Sequence, residues 1–204
     1  MKHLIIVLFL FCTACNSSNK GNSDIDRGDA CDCDIQSIHA LYYNYNFDTA
    51  RALGWDDIQK WYDPQDTTKR NRIVEATITE CSILQEIDKE IKTLKPAEEQ
   101  YPGDARIALT INMKDGTIKE YVIGWPNTAA FYTKEYKGTL LESENTNRLL
   151  YLIKNNIGYY SWFDQDDLKS MNELNDPSVQ RDSVRSRDGK IYYYTPNIVE
   201  EKKM

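Results

Sequence analysis

Three cysteines beside acidic residues have the most distinctive potential chemistry in this chain. Cys31 and Cys33 lie in the stretch DACDCD, and Cys81 follows much later. Three thiols cannot all pair, and a ring between two cysteines separated by one residue is strained. In an oxidising compartment the sequence therefore predicts one long-loop disulfide from Cys81 to either Cys31 or Cys33, and it leaves that choice open.

A metal site is the alternative use of the same residues. His39 and the aspartates near Cys31 and Cys33 are ligand types that zinc accepts, but the paired cysteine spacings of zinc sites are absent. The aspartate-rich stretches DIDRGDACDCD and DQDDLKSMNELN fail as calcium loops, because a glycine comes one place too early in the first and Leu168 takes a ligand position in the second. We therefore expect no metal and no cofactor.

Catalytic patterns are also weak. His39 is the only histidine besides His3, and no serine lies in a Gly-x-Ser-x-Gly turn. Neighbouring carboxylates such as Asp56 and Asp57 diverge on a helix or a strand, so they do not form the acid and base of a hydrolase. We expect a non-enzymatic protein, since a carboxylate-dependent hydrolase would need two carboxylates that the fold brings together from distant positions.

Aromatic side chains are the main resource for binding. The chain contains 14 tyrosines and 4 tryptophans, and exposed rings can serve as stacking platforms for sugars or as anchors for a protein partner. The binding candidates are the four tryptophans, Trp55, Trp61, Trp125 and Trp162. Packing in the core is the competing interpretation for each of them.

Alternating side chains predict the strands that must position these residues. Apolar and polar residues alternate over residues 41–48, which predicts a strand with one buried face. Further strands are expected over residues 72–78, 107–113, 128–133 and 139–141.

The pair Asp115 and Gly116 predicts a hairpin after the strand over residues 107–113. A two-residue turn would bring the carboxylate of Glu120 to the core. A three-residue loop with a bulge at Gly116 would point Glu120 outwards and place three other residues inside: Tyr121, Ile123 and Trp125. Because an unpaired buried carboxylate is costly, we favour the bulged register.

Apolar residues at helical spacing predict three helices. A short one follows Trp55, a second has its apolar stripe over residues 83–94, and a third has its stripe over residues 149–157 and ends at Gly158. Their expected N-caps are, in that order, Asp56 or Asp57, Thr79 and Ser143. The sum is an α+β fold in which an antiparallel β meander packs against two or more amphipathic helices.

The amino terminus has the composition of an export signal. One positive charge at Lys2 precedes an apolar run over residues 4–11, which is far shorter than the ~20 residues of a membrane-spanning helix. Small residues then lead to Cys15, and polar residues follow it. This order predicts a signal peptide over residues 1–14.

The stretch CTAC, which ends at Cys15, resembles the lipobox of bacterial lipoproteins. The resemblance implies cleavage before Cys15, transfer of a diacylglycerol to its thiol and fatty acylation, for example with palmitate, of the new amino group. Cys12 departs from the leucine that the family prefers there. Asn16 is not the aspartate that retains some lipoproteins at the inner membrane, so the resemblance favours the outer membrane of the cell envelope. The alternative is an ordinary secretory signal that leaves Cys15 as a free thiol.

Composition divides the rest of the chain into three parts. Residues 15–30 are almost without apolar side chains, so we expect a flexible tether. Residues 31–176 are long enough for a single α+β domain. Residues 177–204 form a polar C-terminal segment, which we expect either to form a hairpin at Asp188 and Gly189 or to be partly disordered.

Net charge narrows the choice of partners. Removal of residues 1–14 takes away the charge of Lys2 and moves the formal net charge from −7 to −8. An acidic domain is a poor partner for nucleic acids and for anionic lipid surfaces, so membrane attachment should depend on the acyl chains. These features favour a membrane-anchored binding or protein-interaction lipoprotein, such as an inhibitor, an immunity protein or an assembly component. The alternatives are a glycan-binding lipoprotein and a carboxylate-dependent hydrolase.

Overall fold

The structure is a computed structural model. It describes residues 31–43, 53–65, 73–98, 104–124, 130–134, 139–179, 183–185, 191–195 and 198–201. All of them belong to one compact unit from Cys31 to Met204. The expected signal peptide, Cys15, the tether and Trp125 lie outside the described residues.

A seven-stranded antiparallel sheet is the centre of this unit. Its strands are β1 (Ile35–Tyr43), β2 (Ile73–Ile78), β3 (Lys95–Pro96), β4 (Ile107–Met113), β5 (Ile118–Ile123), β6 (Phe131–Thr133) and β7 (Leu140–Glu142). Their spatial order is β2-β1-β4-β5-β6-β7-β3, so strands β4 to β7 form a meander.

Helices lie on both faces of the sheet. They are α1 (Trp55–Trp61), α2 (Cys81–Ile91), α3 (Thr146–Asn156) and α4 (Gln165–Lys169), with 3-10 turns at Tyr159–Trp162, Asn172–Asn175 and Pro177–Val179. The amphipathic helices α2 and α3 pack on one face, where Tyr42 Oη donates a hydrogen bond to the carbonyl of Ile157 at 3.1 Å. The predicted α+β architecture is confirmed. No helix in the described ranges is both long enough and apolar enough to cross a bilayer.

The second face of the sheet is covered over only part of its area. Helix α1 inserts Trp55 and Ile58 there, against Leu41 and Tyr43 of β1. Tyr42, between those two residues, is buried on the opposite face. The prediction of a single buried face is therefore wrong for the end of β1, because α2 and α3 cover the face of Tyr42, which was expected to be open.

The hairpin between β4 and β5 has the bulged register. The amide of Met113 donates to the carbonyl of Thr117 at 2.9 Å around a three-residue loop, and Gly116 has a φ of +85°. Leu109 pairs with Tyr121 on the helix-covered side. Glu120 points to the other side, as predicted, because the extra loop residue shifts the whole strand by one position.

The predicted N-caps are wrong by one to three residues. Gly54, Glu80 and Asn145 precede α1, α2 and α3, respectively. Asp57 still contributes to the capping of α1, since its carboxylate accepts a hydrogen bond from the amide of Gly54 at 3.0 Å. Ser143 Oγ likewise accepts the amide of Asn145 at 3.2 Å. Polar side chains inside or just before the first turn therefore take over part of the capping.

The C-terminal strands form a separate three-stranded sheet. They are β8 (Ser183–Arg185), β9 (Ile191–Thr195) and β10 (Ile198–Glu201), in the order β10-β9-β8. Strands β8 and β9 pair antiparallel on either side of the turn expected at Asp188 and Gly189. That turn lies outside the described residues.

Candidate functional site

The part of the second face that α1 does not reach is lined mainly by polar side chains. His39 of β1 lies opposite Thr77 of β2 and Thr110 of β4, so these three side chains share one face of three adjacent strands. Two residues along β4 from Thr110, Asn112 lies on the same face and pairs with Ile118 of β5. We call this surface the open face, and its residues are Ser37, His39, Glu75, Thr77, Thr110, Asn112, Ile118 and Glu120, all partly or fully exposed.

A hydrogen-bonded cluster occupies the β2 side of the open face. Glu75 accepts a hydrogen bond from His39 Nε2 at 2.6 Å and another from the hydroxyl of Tyr62, just after α1. These two donors, Tyr62 first, hold the pKa of Glu75 below its ordinary value, and the Glu75 carboxylate raises the pKa of Tyr62. An ionised carboxylate can only accept hydrogen bonds, so Nε2 of His39 carries the ring proton. In neutral His39, Nδ1 is then the ring atom that can accept a hydrogen bond from a ligand.

A carboxylate that orients a histidine also occurs in hydrolases, where the histidine activates a nucleophile. In the described part of the chain no serine or cysteine is hydrogen-bonded to His39. The closest serine on the same strand, Ser37, instead accepts a hydrogen bond from Asn112 Nδ2 at 3.0 Å. In the described residues, the cluster therefore pairs a histidine with a carboxylate but places no serine or cysteine nucleophile against the ring.

An ion pair and a tryptophan border the open face on the β5 side. Glu120 lies 2.7 Å from Lys134 Nζ, and the same ammonium lies 5.3 Å from the ring centre of Trp55. A cation above an indole ring is favourable and keeps the lysine in a defined position. Glu120 is thus an outward, paired carboxylate at the border with α1.

The tryptophans proposed as binding residues lie mostly in packed positions. Trp55 is only 7% exposed in the core beneath α1. Trp61 is partly buried, with its ring edge-on to Tyr43 at 5.7 Å. Trp162 is partly buried too, and its Nε1 donates to Tyr42 Oη at 3.4 Å. These three residues are not brought together, and Trp125 lies outside the described residues.

The structure shows which cysteine pairs with Cys81, a choice that the sequence leaves open. Cys31 and Cys81 form the disulfide, with their Cα atoms 5.3 Å apart, and Cys33 is a free, partly exposed thiol. Cys33 Sγ nevertheless lies only 3.3 Å from Cys31 Sγ. Within the described ranges, no three His, Cys, Asp or Glu side chains are grouped closely enough to hold a metal ion.

Two carboxylates from distant positions do meet beside α2. Asp34 and Asp88 lie 2.6 Å and 2.8 Å from the ammonium of Lys92, respectively. Lys92 holds the pKa of Asp34 below its ordinary value. A glycoside hydrolase needs one carboxyl group that retains its proton near neutral pH, so Asp34 does not suit that role.

A shallow groove of about 860 Å³ lies at the opposite edge of the sheet, where β3 pairs with β7. Its charged residues have both signs: Lys92, Lys95, Glu98, Glu142 and Glu144. Mixed charge on an open surface selects no single class of ligand, so the groove is a weaker candidate than the open face.

Comparison with models of known protein families, with curated protein sequences and with solved structures gives no match to this chain. Function therefore has to be inferred from the open face. Sequence reasoning placed His39 and Glu120 but did not join them into one surface. The signal was the polar phase of β4, where Thr110 and Asn112 alternate with buried residues.

Proposed function

We propose that this protein is a lipid-anchored lipoprotein of the bacterial envelope that binds a protein partner through the open face. The observation that carries the proposal is an ordered, polar sheet surface over β2, β1, β4 and β5, next to the helix that covers the rest of the same face. Roles of this kind include inhibition, immunity and assembly. Attachment would depend on acyl chains at Cys15, with residues 15–30 as the tether.

The fixed conformations of side chains on the open face support a binding role rather than simple exposure to solvent. One face of an antiparallel sheet can be solvated without any function. Here, however, the side chains are already held in pairs: His39 with Glu75, and Ser37 with Asn112. Side chains that are already immobilised lose less conformational entropy when a partner binds.

An apolar anchor lies within this polar surface. Ile118 is 60% exposed and is the most exposed large apolar residue among those that the structure describes. Interfaces commonly combine a few apolar anchors with a polar rim. Ile118 beside Asn112 and Thr110 has that arrangement, and the fold does not need an apolar side chain there.

Charge indicates the class of partner. The formal net charge is −7 for the full chain, and the open face contributes the carboxylates Glu75 and Glu120. Charge complementarity speeds association and improves selectivity, so a partner with a basic contact surface fits best. An acidic chain repels phosphate backbones, which disfavours nucleic acids.

The test is quantitative cross-linked capture from native cells with variants of the open face. Ile118→Asp removes the apolar anchor, and Thr77→Arg adds a bulky cation at the exposed edge. Thr93→Arg, on an exposed residue after α2, is the matched control. We expect one near-stoichiometric protein with the wild-type chain and with Thr93→Arg, and its loss with both variants of the open face.

Two results would contradict the proposal. Equal recovery of that protein with all variants would move the binding site away from the open face. Absence of any stoichiometric protein, together with retention of the chain on envelope polysaccharides, would favour the glycan-binding alternative.

A further inference from the structure

We propose that Cys33, Cys31 and Cys81 form a thiol–disulfide exchange centre, in which the thiolate of Cys33 attacks Cys31 and displaces Cys81. This inference concerns the cysteines alone and does not depend on the binding role of the open face. It assigns a reactive role to Cys33, which is a free thiol while Cys31 and Cys81 form the disulfide.

The position of the Cys33 sulfur carries the proposal. Cys33 Sγ lies 3.3 Å from Cys31 Sγ, which is itself bonded to Cys81. Because a disulfide sulfur has no proton to donate, the thiol of Cys33 must be the donor in its hydrogen bonds, and it also reaches the carbonyl of Ile35 at 3.3 Å. Cys33 is partly exposed, so water or a buffer base can remove its proton.

The leaving sulfur belongs to Cys81, the first residue of α2, which is 11 residues long. The amino terminus of a helix stabilises a thiolate through its free amides and its dipole. Exchange is faster when the leaving thiolate is more stable. Attack on Cys31 with departure of Cys81 is therefore the favoured direction of bond breaking.

Noncovalent contacts hold the attacking segment in place when the disulfide opens. The backbone amide of Asp34 donates to Asp88 at 3.0 Å, and the carbonyl of Asp34 accepts the amide of Lys114 at 2.8 Å. The Lys114 ammonium also donates to the carbonyl of Cys31. Since α2 and the hairpin loop hold residues 31–34 independently of the disulfide, the three sulfurs stay close and the exchange is reversible.

The step is balanced without an external oxidant. Cys33 loses a proton to solvent, its thiolate forms the Cys33–Cys31 bond, and the Cys31–Cys81 bond breaks with its electron pair on Cys81. That thiolate then takes a proton from solvent. The new ring spans two cysteines separated by one residue and is strained, so the Cys81 thiol is a minor species at equilibrium.

The test is slow alkylation of the purified full-length protein, followed by denaturation in excess reagent and digestion with trypsin. Cys31 and Cys33 share the tryptic peptide over residues 28–51, and Cys81 lies in the peptide over residues 73–89. The ground state gives these two peptides linked, with the alkyl group on Cys33. The exchanged state gives them separate, with the alkyl group on Cys81 and a disulfide within residues 28–51.

We expect the fraction of the separate, Cys81-alkylated product to rise to a plateau as the reagent is diluted, because exchange then equilibrates the two thiols before either is alkylated. Cys33→Ser is the matched control, and it should lose this product completely while keeping the linked peptides. Alkylation of Cys33 alone at every reagent concentration would overturn the proposal. A Cys81 adduct that persists in Cys33→Ser would also overturn it, because an external thiol would then have opened the disulfide.

Discussion

At the scale of single residues, the most unusual contact is a fully buried ion pair. Lys154 of α3 lies 2.6 Å from Glu173, and neither side chain has exposed surface. Tyr160 Oη adds a hydrogen bond to the same carboxylate oxygen at 3.2 Å. Within the described part of the chain, the second oxygen of Glu173 has no hydrogen-bond partner. The pair is therefore only partly compensated for the loss of water.

Breaking this pair should be costly, whereas removing it as a whole should not. We expect Lys154→Met to lower the free energy of unfolding by about 3–5 kcal/mol, because it leaves a buried carboxylate without its cation. The double variant Lys154→Met with Glu173→Leu should recover most of that loss. Urea unfolding measures both, and Lys169→Met, in the exposed pair with Asp166, is the control with almost no change. A double variant as unstable as the single one would contradict this explanation.

Glu75 gives a prediction for pH. Its folded-state pKa is lowered by Tyr62 and His39, so the stabilisation is present above its unfolded pKa and is lost as the pH falls through the folded pKa. Because the side chain is 48% exposed, we expect Glu75→Gln to cost less than about 1 kcal/mol at neutral pH.

The measurement is urea unfolding of wild type and Glu75→Gln at a series of pH values from neutral to about pH 3. The stability difference between the two proteins should shrink towards the acid end. A difference that stays constant over this range would show that the ionised carboxylate contributes nothing.

At the scale of elements, the β4–β5 hairpin depends on one residue with positive φ. No described atom lies within 4 Å of a Cβ built on Gly116, whose φ is +85°, so the cost of a side chain there comes from the backbone alone. We expect Gly116→Ala to lower the free energy of unfolding by about 1 kcal/mol. Gly116→Asn should lose less, since asparagine adopts this conformation more readily. Thermal or urea unfolding tests the order, and equal losses would contradict it.

The same hairpin shows how far local rules reach. Turn chemistry and the cost of burying Glu120 predicted the correct register, because both act over a few neighbouring residues. The N-caps were each placed one to three residues away from their positions; for α1 and α3 the reason is that Asp57 and Ser143 contribute to capping without being the N-cap. Local patterns thus locate an element better than they locate its end.

At the scale of the whole molecule, the proposed lipid anchor at Cys15 would determine where the open face works. We predict that cells fed a clickable palmitate analogue label the wild-type protein and do not label Cys15→Ala. Cys12→Leu, which installs the residue that the lipoprotein family prefers, should keep the label. A labelled Cys15→Ala protein would exclude Cys15 as the acylated residue.

The sequence by itself determined the kinds of element in this protein. Alternation of period two marked the β-strands β2 and β4, and apolar stripes marked α2 and α3. The Asp115 and Gly116 pair located the hairpin, and the cost of burying Glu120 selected its register. Each of these signals is carried by side chains that are close in the chain, so no knowledge of distant contacts is needed.

Only the tertiary structure decided which distant groups meet. It paired Cys81 with Cys31 although Cys33 is two residues away, buried Lys154 against Glu173, and used α1 to divide one sheet face into a covered part and the open face. These outcomes depend on how helices pack across strands that are remote in sequence. Neighbouring residues of the same type look equivalent until packing gives one of them the contact.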